Sequence, residues 1–197
     1  MRYGLVTAAA VLCALPASGD DTLLSPGVIN ALTSIDAMPS KTAINQAFPS
    51  QQLALAALTT IALDHTIDLG IELRAINALP SFCPTATCTT GPGHDTAVAL
   101  ILDYATSPHT PQDLLRLRAA VEALGATRSG LTSDVDVLLP LLGHASRDVR
   151  ATVVRALRNI CNAKAVAPLK ALTTTEPSTQ VLLAIYAALQ DLAQCGG

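Results

Sequence analysis

The chain has 197 residues and a formal net charge of −3; half of its residues are hydrophobic and only 14% are charged. This composition excludes an intrinsically disordered chain. Ala and Leu, with 34 and 31 copies, are strong helix formers, whereas aromatic residues make up 3% of the chain. Few β-branched or aromatic runs occur, so we expect an all-α protein rather than a β-sandwich or barrel.

Residues 1–19 have the layout of a secretory signal peptide. Arg2 supplies a positive charge, residues 5–15 form an apolar run, and residues 17–19 are small. The run is too short to cross a hydrocarbon layer of roughly 30 Å. No later segment is long and apolar enough either, so the sequence predicts no membrane span.

Cleavage of this segment starts the mature chain at Asp20 and predicts a secreted or periplasmic protein. Two alternatives are a buried N-terminal helix and a lipoprotein signal that ends at Cys13. Lipoprotein signals have a small residue before that cysteine, whereas this chain has Leu12.

Export leaves the mature chain with four cysteines, which favours two disulfides in an oxidising compartment. Four cysteines allow three connectivities. We favour the two pairs that are closest in sequence, Cys83 with Cys88 and Cys161 with Cys195.

The C-terminal part of the sequence is self-similar. Pro140 recurs 28 residues later as Pro168, and four apolar positions recur 32 residues later. These positions are Val149, Ala156, Leu157 and Ile160, which correspond to Val181, Ala188, Leu189 and Leu192. At 100° per residue the first set forms one apolar stripe on a helix. Such helix pairs bury their stripes only against neighbouring pairs, so we expect them to stack.

The sequence resembles HEAT repeats, particularly the short form that also occurs in phycobilin lyases. The resemblance rests on residues 138–142, on Asp148 to Arg150 and on the earlier helix 114–125, and it covers residues 94–193. It implies a right-handed α-solenoid of about four to five helix pairs. Stacked repeats of this kind present extended binding surfaces.

Upstream, residues 51–64 and 67–79 have the lengths of a further pair. We therefore assign residues 20–50 as an irregular N-terminal cap and residues 51–197 as helical repeats. The loop 80–93 holds three prolines and two glycines, so it cannot be helical throughout.

Four arginines lie on the predicted second helix of one repeat, on the side opposite its apolar stripe: Arg147, Arg150, Arg155 and Arg158. The resemblance implies that this side lines a concave surface. Arginines there would attract an acidic protein partner, because guanidinium groups favour carboxylates. The alternative is a solvated face with arginines paired to Asp148 or to acids of the next repeat. A nucleic-acid partner is not expected, because no aromatic residues lie among these basic residues and the mature chain is acidic overall.

Cys83, Cys88 and His94 raise the question of a zinc site, but their spacing is wide and a fourth ligand is missing nearby. We therefore predict no metal and no cofactor. Asp95 is expected to cap a helix that begins at Thr96.

The sequence contains no Gly-x-Ser-x-Gly nucleophile elbow, no phosphate-binding loop and no His-Glu-x-x-His motif of zinc proteases. The remaining histidines, His65, His109 and His144, are interpreted as surface residues. Asp134 and Asp136 are expected to interact with a helix dipole, and Tyr104 and Tyr186 are interpreted as core or groove residues. The sequence thus predicts an exported, non-enzymatic scaffold that binds a protein through its concave face. The alternative is an enzyme or enzyme accessory similar to the phycobilin lyases, and the oligomeric state is left open.

Overall fold

The structure is a computed structural model that describes residues 24–33, 40–106 and 110–195. The predicted signal peptide and His109 lie outside these ranges. Within them the protein is all-helical, without strands. The bounds of its α-helices are Pro26–Leu32 (α1), Lys41–Gln46 (α2), Gln51–Leu63 (α3), Leu69–Ala78 (α4), Pro92–Tyr104 (α5), Pro111–Ala126 (α6), Thr132–Leu138 (α7), Arg147–Ile160 (α8), Val166–Leu172 (α9) and Thr179–Leu192 (α10).

Short 3-10 helices adjoin three of these elements, at Leu79–Phe82, Leu139–Gly143 and Ala163–Ala165. None of the described helices is both long enough and apolar enough to span a membrane.

Polar side chains fix where several helices begin. Ser50, Asp68 and Ser146 accept hydrogen bonds from backbone amides in the first turns of α3, α4 and α8. Thr110 and Asp113 form a reciprocal capping box at the start of α6. These caps satisfy amides that otherwise have no partner within the helix. They mark the starts of successive helices.

Helices α3 to α10 form four successive pairs. The second helices pack in sequence order, α4 against α6, α6 against α8, and α8 against α10. Among the first helices, α3 contacts α5 and α5 contacts α7. At the N-terminal end, α1 lies against α4 and α2 against α3. Each described pair therefore packs mainly against its immediate neighbours.

One continuous apolar core runs through these pairs. It contains the predicted stripe of α8, since Val149, Val153, Leu157 and Ile160 have no exposed surface. Gly125 allows α6 to approach α8 closely, because a Cβ there would lie 2.7 Å from the Cα of Ala156. The tight contact of these two helices depends on small residues.

One predicted boundary is wrong. The helix that we expected to begin at Thr96 begins at Pro92, one residue after Gly91, whose φ is 98°. The carboxylate of Asp95 accepts a hydrogen bond from the backbone amide of Gly91. Asp95 thus helps to fix the helix start from inside the helix rather than from the residue before it.

Candidate interaction surface

The four arginines that the sequence singled out all lie on α8, but the structure gives them different environments. Arg147 and Arg155 are exposed, Arg158 is about half exposed, and Arg150 is largely buried. They do not form one uniform solvated strip. Each arginine has its own set of contacts.

Arg150 is held by Glu176, which lies in the turn between α9 and α10. Its Nε and Nη2 donate to the two carboxylate oxygens of Glu176 at 2.8 and 2.7 Å, and its Nη1 donates to the backbone oxygens of His144 and Ala145. The hydrogen bonds from Arg150 lower the pKa of Glu176, although burial alone would raise it. Arg150 therefore joins α8 to the last repeat and is not free to bind a partner.

Two other arginines have exposed acidic neighbours. Arg158 pairs with Asp191 of α10, and both side chains keep more than 40% of their surface exposed. Arg147 lies 3.8 Å from the carboxylate of Asp148. Both pairs agree with the alternative that the sequence left open, in which arginines contact Asp148 or acids of the next repeat. Because both pairs are exposed, they contribute little to stability.

Arg155 and Arg128 differ from the others, because within the described ranges no carboxylate lies at ion-pair distance from either. Arg155 donates one hydrogen bond to the hydroxyl of Thr152. Arg128 follows the end of α6 in a left-handed conformation with a φ of 50°. We call Arg128, Arg155 and Arg158 the arginine surface.

Arg128 and Arg158 line the same open cleft, of about 600 Å³. Its other walls come from the loop after Cys83 and from the ends of α8 and α10: Thr87, Asn159, Cys161, Asp191, Gln194 and Cys195. Arg155 lies on the same helix, one turn before Asn159, but it does not itself line the cleft. The cleft offers guanidinium and amide donors, which suit a carboxylate ligand, and one carboxylate of the chain itself, that of Asp191, already contacts Arg158 there.

The two cysteine pairs that the sequence favours are the pairs that lie at disulfide distance. Their Cα atoms are 5.5 Å apart for Cys83 and Cys88, and 5.3 Å apart for Cys161 and Cys195. The second pair links the residue after α8 to the segment after α10, beside the cleft. The first pair joins two residues within the 80–93 loop. The backbone amide of Cys88 also donates a hydrogen bond to the carbonyl oxygen of Thr127. Both pairs thus hold segments that border the arginine surface.

His94 belongs to a buried cluster that sequence reasoning missed. Its Nδ1 lies 2.8 Å from a carboxylate oxygen of Asp95, and its Nε2 lies 3.0 Å from one of Asp134. Ser129 donates to the same Asp134 carboxylate. Burial lowers the pKa of His94, but the hydrogen bonds and charges of Asp95 and Asp134 raise it, and the net shift is upward.

Because the Ser129 hydroxyl bonds to a carboxylate and not to the imidazole, this cluster lacks the serine and base contact of nucleophilic catalysis. Its evident effect is to join α5 to α7. No sequence motif marks it, since His94 and Asp134 are 40 residues apart.

A second polar cluster surrounds Glu72, a residue of α4 without exposed surface. The single N–H at Nε of Arg116 is shared between the two carboxylate oxygens of Glu72, at 2.8 and 2.9 Å, and one of these oxygens lies 2.9 Å from Nδ1 of His65. The hydroxyl of Tyr104 lies within hydrogen-bond distance of the same imidazole, and burial raises the pKa of Tyr104 to about 12. The cluster connects α4, α5 and α6 and therefore holds two successive pairs together.

The remaining polar and aromatic candidates lie in different settings. Asp136 pairs with Lys164 at 2.5 Å, while Asp134 lies in the first turn of α7. Tyr104 is buried and Tyr186 is 56% exposed. The side chain of His144 accepts a hydrogen bond from the amide of Ser146. In the part of the chain that the structure describes, no group of three or more His, Cys, Asp or Glu residues is arranged to hold a metal.

The fold and this surface define an all-helical protein built from repeated helix pairs with a basic cleft. Residues 109–190 match the family model for HEAT repeats. The match spans α6 to most of α10 and supports a HEAT-repeat protein. No curated protein matches the chain. HEAT repeats are helical scaffolds that often mediate protein interactions.

Proposed function

We propose that the protein is an exported HEAT-repeat scaffold that binds an acidic protein partner through the arginine surface. In this proposal the helix pairs form a right-handed solenoid, and α4, α6, α8 and α10 line its concave face. The order of helix contacts supports this arrangement, because each second helix packs against the next second helix along the chain. The match to HEAT repeats supports it over the C-terminal pairs.

The observation that carries the binding proposal is the pair Arg128 and Arg155. Both are exposed, and in the described structure neither lies at ion-pair distance from a carboxylate. Elsewhere on α8 the arginines Arg150 and Arg158 are paired with acids. Guanidinium groups without an acidic partner attract anionic surfaces from a distance and bind carboxylates through paired hydrogen bonds.

The charge distribution also favours such a partner. Residues 111–197 carry nine Lys or Arg against seven Asp or Glu, whereas residues 20–110 carry two against eight. The arginine surface lies in the basic part of the chain. We expect a partner with exposed Asp and Glu side chains, and no chemical step on it, since the scaffold role requires only binding.

Export is supported by the signal-like layout of residues 1–19 and by the two cysteine pairs at disulfide distance. Paired cysteines persist in oxidising compartments. N-terminal sequencing of the protein from its native source should find Asp20 first, with no free thiols. A chain that keeps residues 1–19 and has reduced cysteines would contradict export and favour the lyase-like alternative.

The binding proposal is tested by affinity capture from the extracytoplasmic fraction, with the mature chain as bait. Arg128→Glu with Arg155→Glu should abolish capture of the partner. Neither arginine holds another repeat through an ion pair, so the melting temperature should change little.

A matched control is Lys164→Glu with Lys170→Glu, which changes the net charge equally. Both lysines are exposed, and neither belongs to the arginine surface. Lys164 pairs with Asp136, but both side chains are exposed, so loss of this pair should change stability little. The control should still capture the partner. Equal capture by all three proteins would contradict the proposed surface.

A further inference from the structure

Arg128 of the arginine surface lies in a turn, residues 127–131, whose backbone has an unusual conformation. The φ of Arg128 is 50°, in the left-handed region that glycine favours, and Gly130 follows with a φ of 70°. A residue with a side chain is disfavoured in this region and stays there only where its surroundings hold it. The contacts of this turn therefore determine where the guanidinium of Arg128 lies.

Uncharged groups hold the two ends of the turn. The backbone amide of Cys88 donates a hydrogen bond to the carbonyl oxygen of Thr127 at 2.8 Å. The side-chain amide of Asn162 donates to the carbonyl oxygen of Gly130 at 2.7 Å. Amides and carbonyls do not titrate, so these two contacts are the same at every pH in the physiological range.

A charged cluster holds the residue directly after Arg128. The hydroxyl of Ser129 donates to the carboxylate of Asp134, whose side chain is only 2% exposed. Among the described residues, His94 supplies the one cationic group at ion-pair distance from this carboxylate, with Nε2 at 3.0 and 3.1 Å from its two oxygens. A buried carboxylate without a counter-charge costs free energy. The middle of the turn therefore depends on the charge of His94.

Both ring nitrogens of His94 face carboxylates, since Nδ1 lies 2.8 Å from an oxygen of Asp95. Only the imidazolium form carries a hydrogen on both nitrogens, so only that form donates to Asp95 and Asp134 together. Burial, the largest single effect, lowers the pKa of His94, but the hydrogen bonds and charges of the two carboxylates raise it above its usual value. The geometry and the charges thus favour the protonated form.

Among the described residues, the charged groups that act on this imidazole are Asp95 on α5 and Asp134 on α7. Helices α3, α6 and α7 and the 3-10 helix at Leu79–Phe82 pack against α5. Neither α3 nor that 3-10 helix contains an ionisable residue. The other ionisable residues of α6 and α7 do not shift the pKa of His94: Asp113, Arg116, Arg118, Glu122 and Asp136.

We propose that protonated His94 positions Arg128 through Asp134 and Ser129, so that the cleft binds carboxylates more weakly once His94 loses its proton. Deprotonation removes the positive charge beside Asp134. Contact with water then becomes favourable for that carboxylate, which releases Ser129 and the middle of the turn. His94 is a positioning residue and does not itself touch the partner. The inference rests on the proposed function, because it takes Arg128 as a residue that binds the partner.

Nuclear magnetic resonance of the ¹⁵N-labelled protein tests the positioning role without a partner. As the pH rises from about 6 to about 9, across the titration range of histidine, the amide resonance of Arg128 should shift with the same midpoint as the ring nitrogens of His94. That midpoint should lie above about 6.5, the usual pKa of histidine. The control His144→Gln removes a histidine of another turn and should leave both titrations unchanged.

Asp95→Asn is the most informative variant, because the side chain of Asp95 is 65% exposed and its replacement should not disturb folding. It removes one of the two charges that raise the pKa of His94. The midpoints of His94 and of Arg128 should therefore move to lower pH by the same amount. Circular dichroism establishes that each variant is folded. An Arg128 resonance that does not titrate, or one whose midpoint stays while that of His94 moves, would overturn the proposal.

Isothermal titration with a polyglutamate peptide measures the effect on binding. The carboxylates of the peptide stay charged over this pH range, so a change in affinity reflects the protein. The wild type should bind about fivefold more weakly above the midpoint than below it, which corresponds to the loss of one exposed ion pair. Asp95→Asn should lose affinity at a correspondingly lower pH. Arg128→Ala should bind weakly throughout, without this dependence on pH.

The outcomes separate the inference from the proposed function. If the affinity of Arg128→Ala falls at the same midpoint as that of the wild type, His94 acts through its own charge and the proposal is overturned. A wild type that binds the peptide equally at every pH would overturn it as well. A wild type that does not bind the peptide at any pH would contradict the proposed function, and the Arg128 resonance would still decide the positioning role of His94.

Discussion

Two ion pairs join α8 to the last repeat, and they differ in burial. Near the start of α8, Arg150 and Glu176 keep 13% and 2% of their side-chain surface exposed. Near its end, Arg158 and Asp191 keep 43% and 47% exposed. A buried pair leaves an uncompensated charge when one partner is removed, whereas an exposed pair is solvated and screened.

The difference shows that arginines on one helix can have separate roles. Arg150 is part of the packing between repeats, while Arg158 shares an open cleft with Arg128. The start of α8 thus holds the structure together, and its end presents cations to a partner. This division has measurable consequences for stability and for binding.

Glu176→Ala should lower the free energy of unfolding by about 3 to 5 kcal/mol, because it leaves the guanidinium of Arg150 buried without its carboxylate. Urea denaturation followed by circular dichroism measures the change. Asp191→Ala is the matched control at the exposed pair and should have a much smaller effect. Equal losses in the two variants would contradict the division.

Cys161→Ser with Cys195→Ser should lower stability by about 3 to 4 kcal/mol, because the bond between them closes a long loop in the unfolded chain. The bond lies at the same end of α8 as the exposed ion pair. We therefore expect it, rather than Arg158 and Asp191, to hold that end. Denaturation without reductant measures the effect.

The bond between Cys83 and Cys88 closes a much shorter ring. Replacing both cysteines with serine should therefore lower stability by only about 2 kcal/mol. Unchanged stability of the Cys161 and Cys195 variant under oxidising conditions would contradict the role assigned to that pair.

The buried pair should also give stability a pH dependence. Because the pKa of Glu176 is lowered in the folded protein, its contribution is present above the pKa of the unfolded chain, about 4.3. That contribution is lost as the pH falls through the lower, folded value. The stability difference between the wild type and Glu176→Gln should therefore be large at neutral pH and shrink in acid. A difference that stays constant with pH would show that ionisation of Glu176 is not its origin.

Arg158→Ala should have the smallest effect on folding, below about 1 kcal/mol, since its ion pair is exposed. High salt should reduce even this difference. The same variant should bind the partner more weakly than the wild type. A stability loss as large as that of Glu176→Ala would mean that Arg158 is also a packing residue.

The sequence predicted the features that depend on local periodicity. Residues 51–64 were predicted as one helix and form α3 at Gln51–Leu63, and residues 114–125 lie within α6. The apolar stripe of α8 is buried as predicted, because helical spacing alone determines which of its residues face the core. The two favoured cysteine pairs also lie together, since repeat equivalence places both Cys161 and Cys195 after second helices.

Contacts between distant segments were not predictable in the same way. A helical projection of α8 places Arg150 beside Arg147, but it cannot show that Glu176 approaches from another segment. The contact of His94 with Asp134 was missed for the same reason. The start of α5 was missed although a signal existed, because Pro92 is favoured in the first turn of a helix.

The most direct test of the account is an isothermal titration of the captured partner into three proteins: the wild type, Arg128→Glu with Arg155→Glu, and Lys164→Glu with Lys170→Glu. We predict that the arginine variant binds at least about 100-fold more weakly, since each reversal removes a contact of hot-spot size. The lysine variant should keep an affinity close to that of the wild type. Equal affinity of the partner for the arginine variant and the wild type would contradict the assignment of the arginine surface.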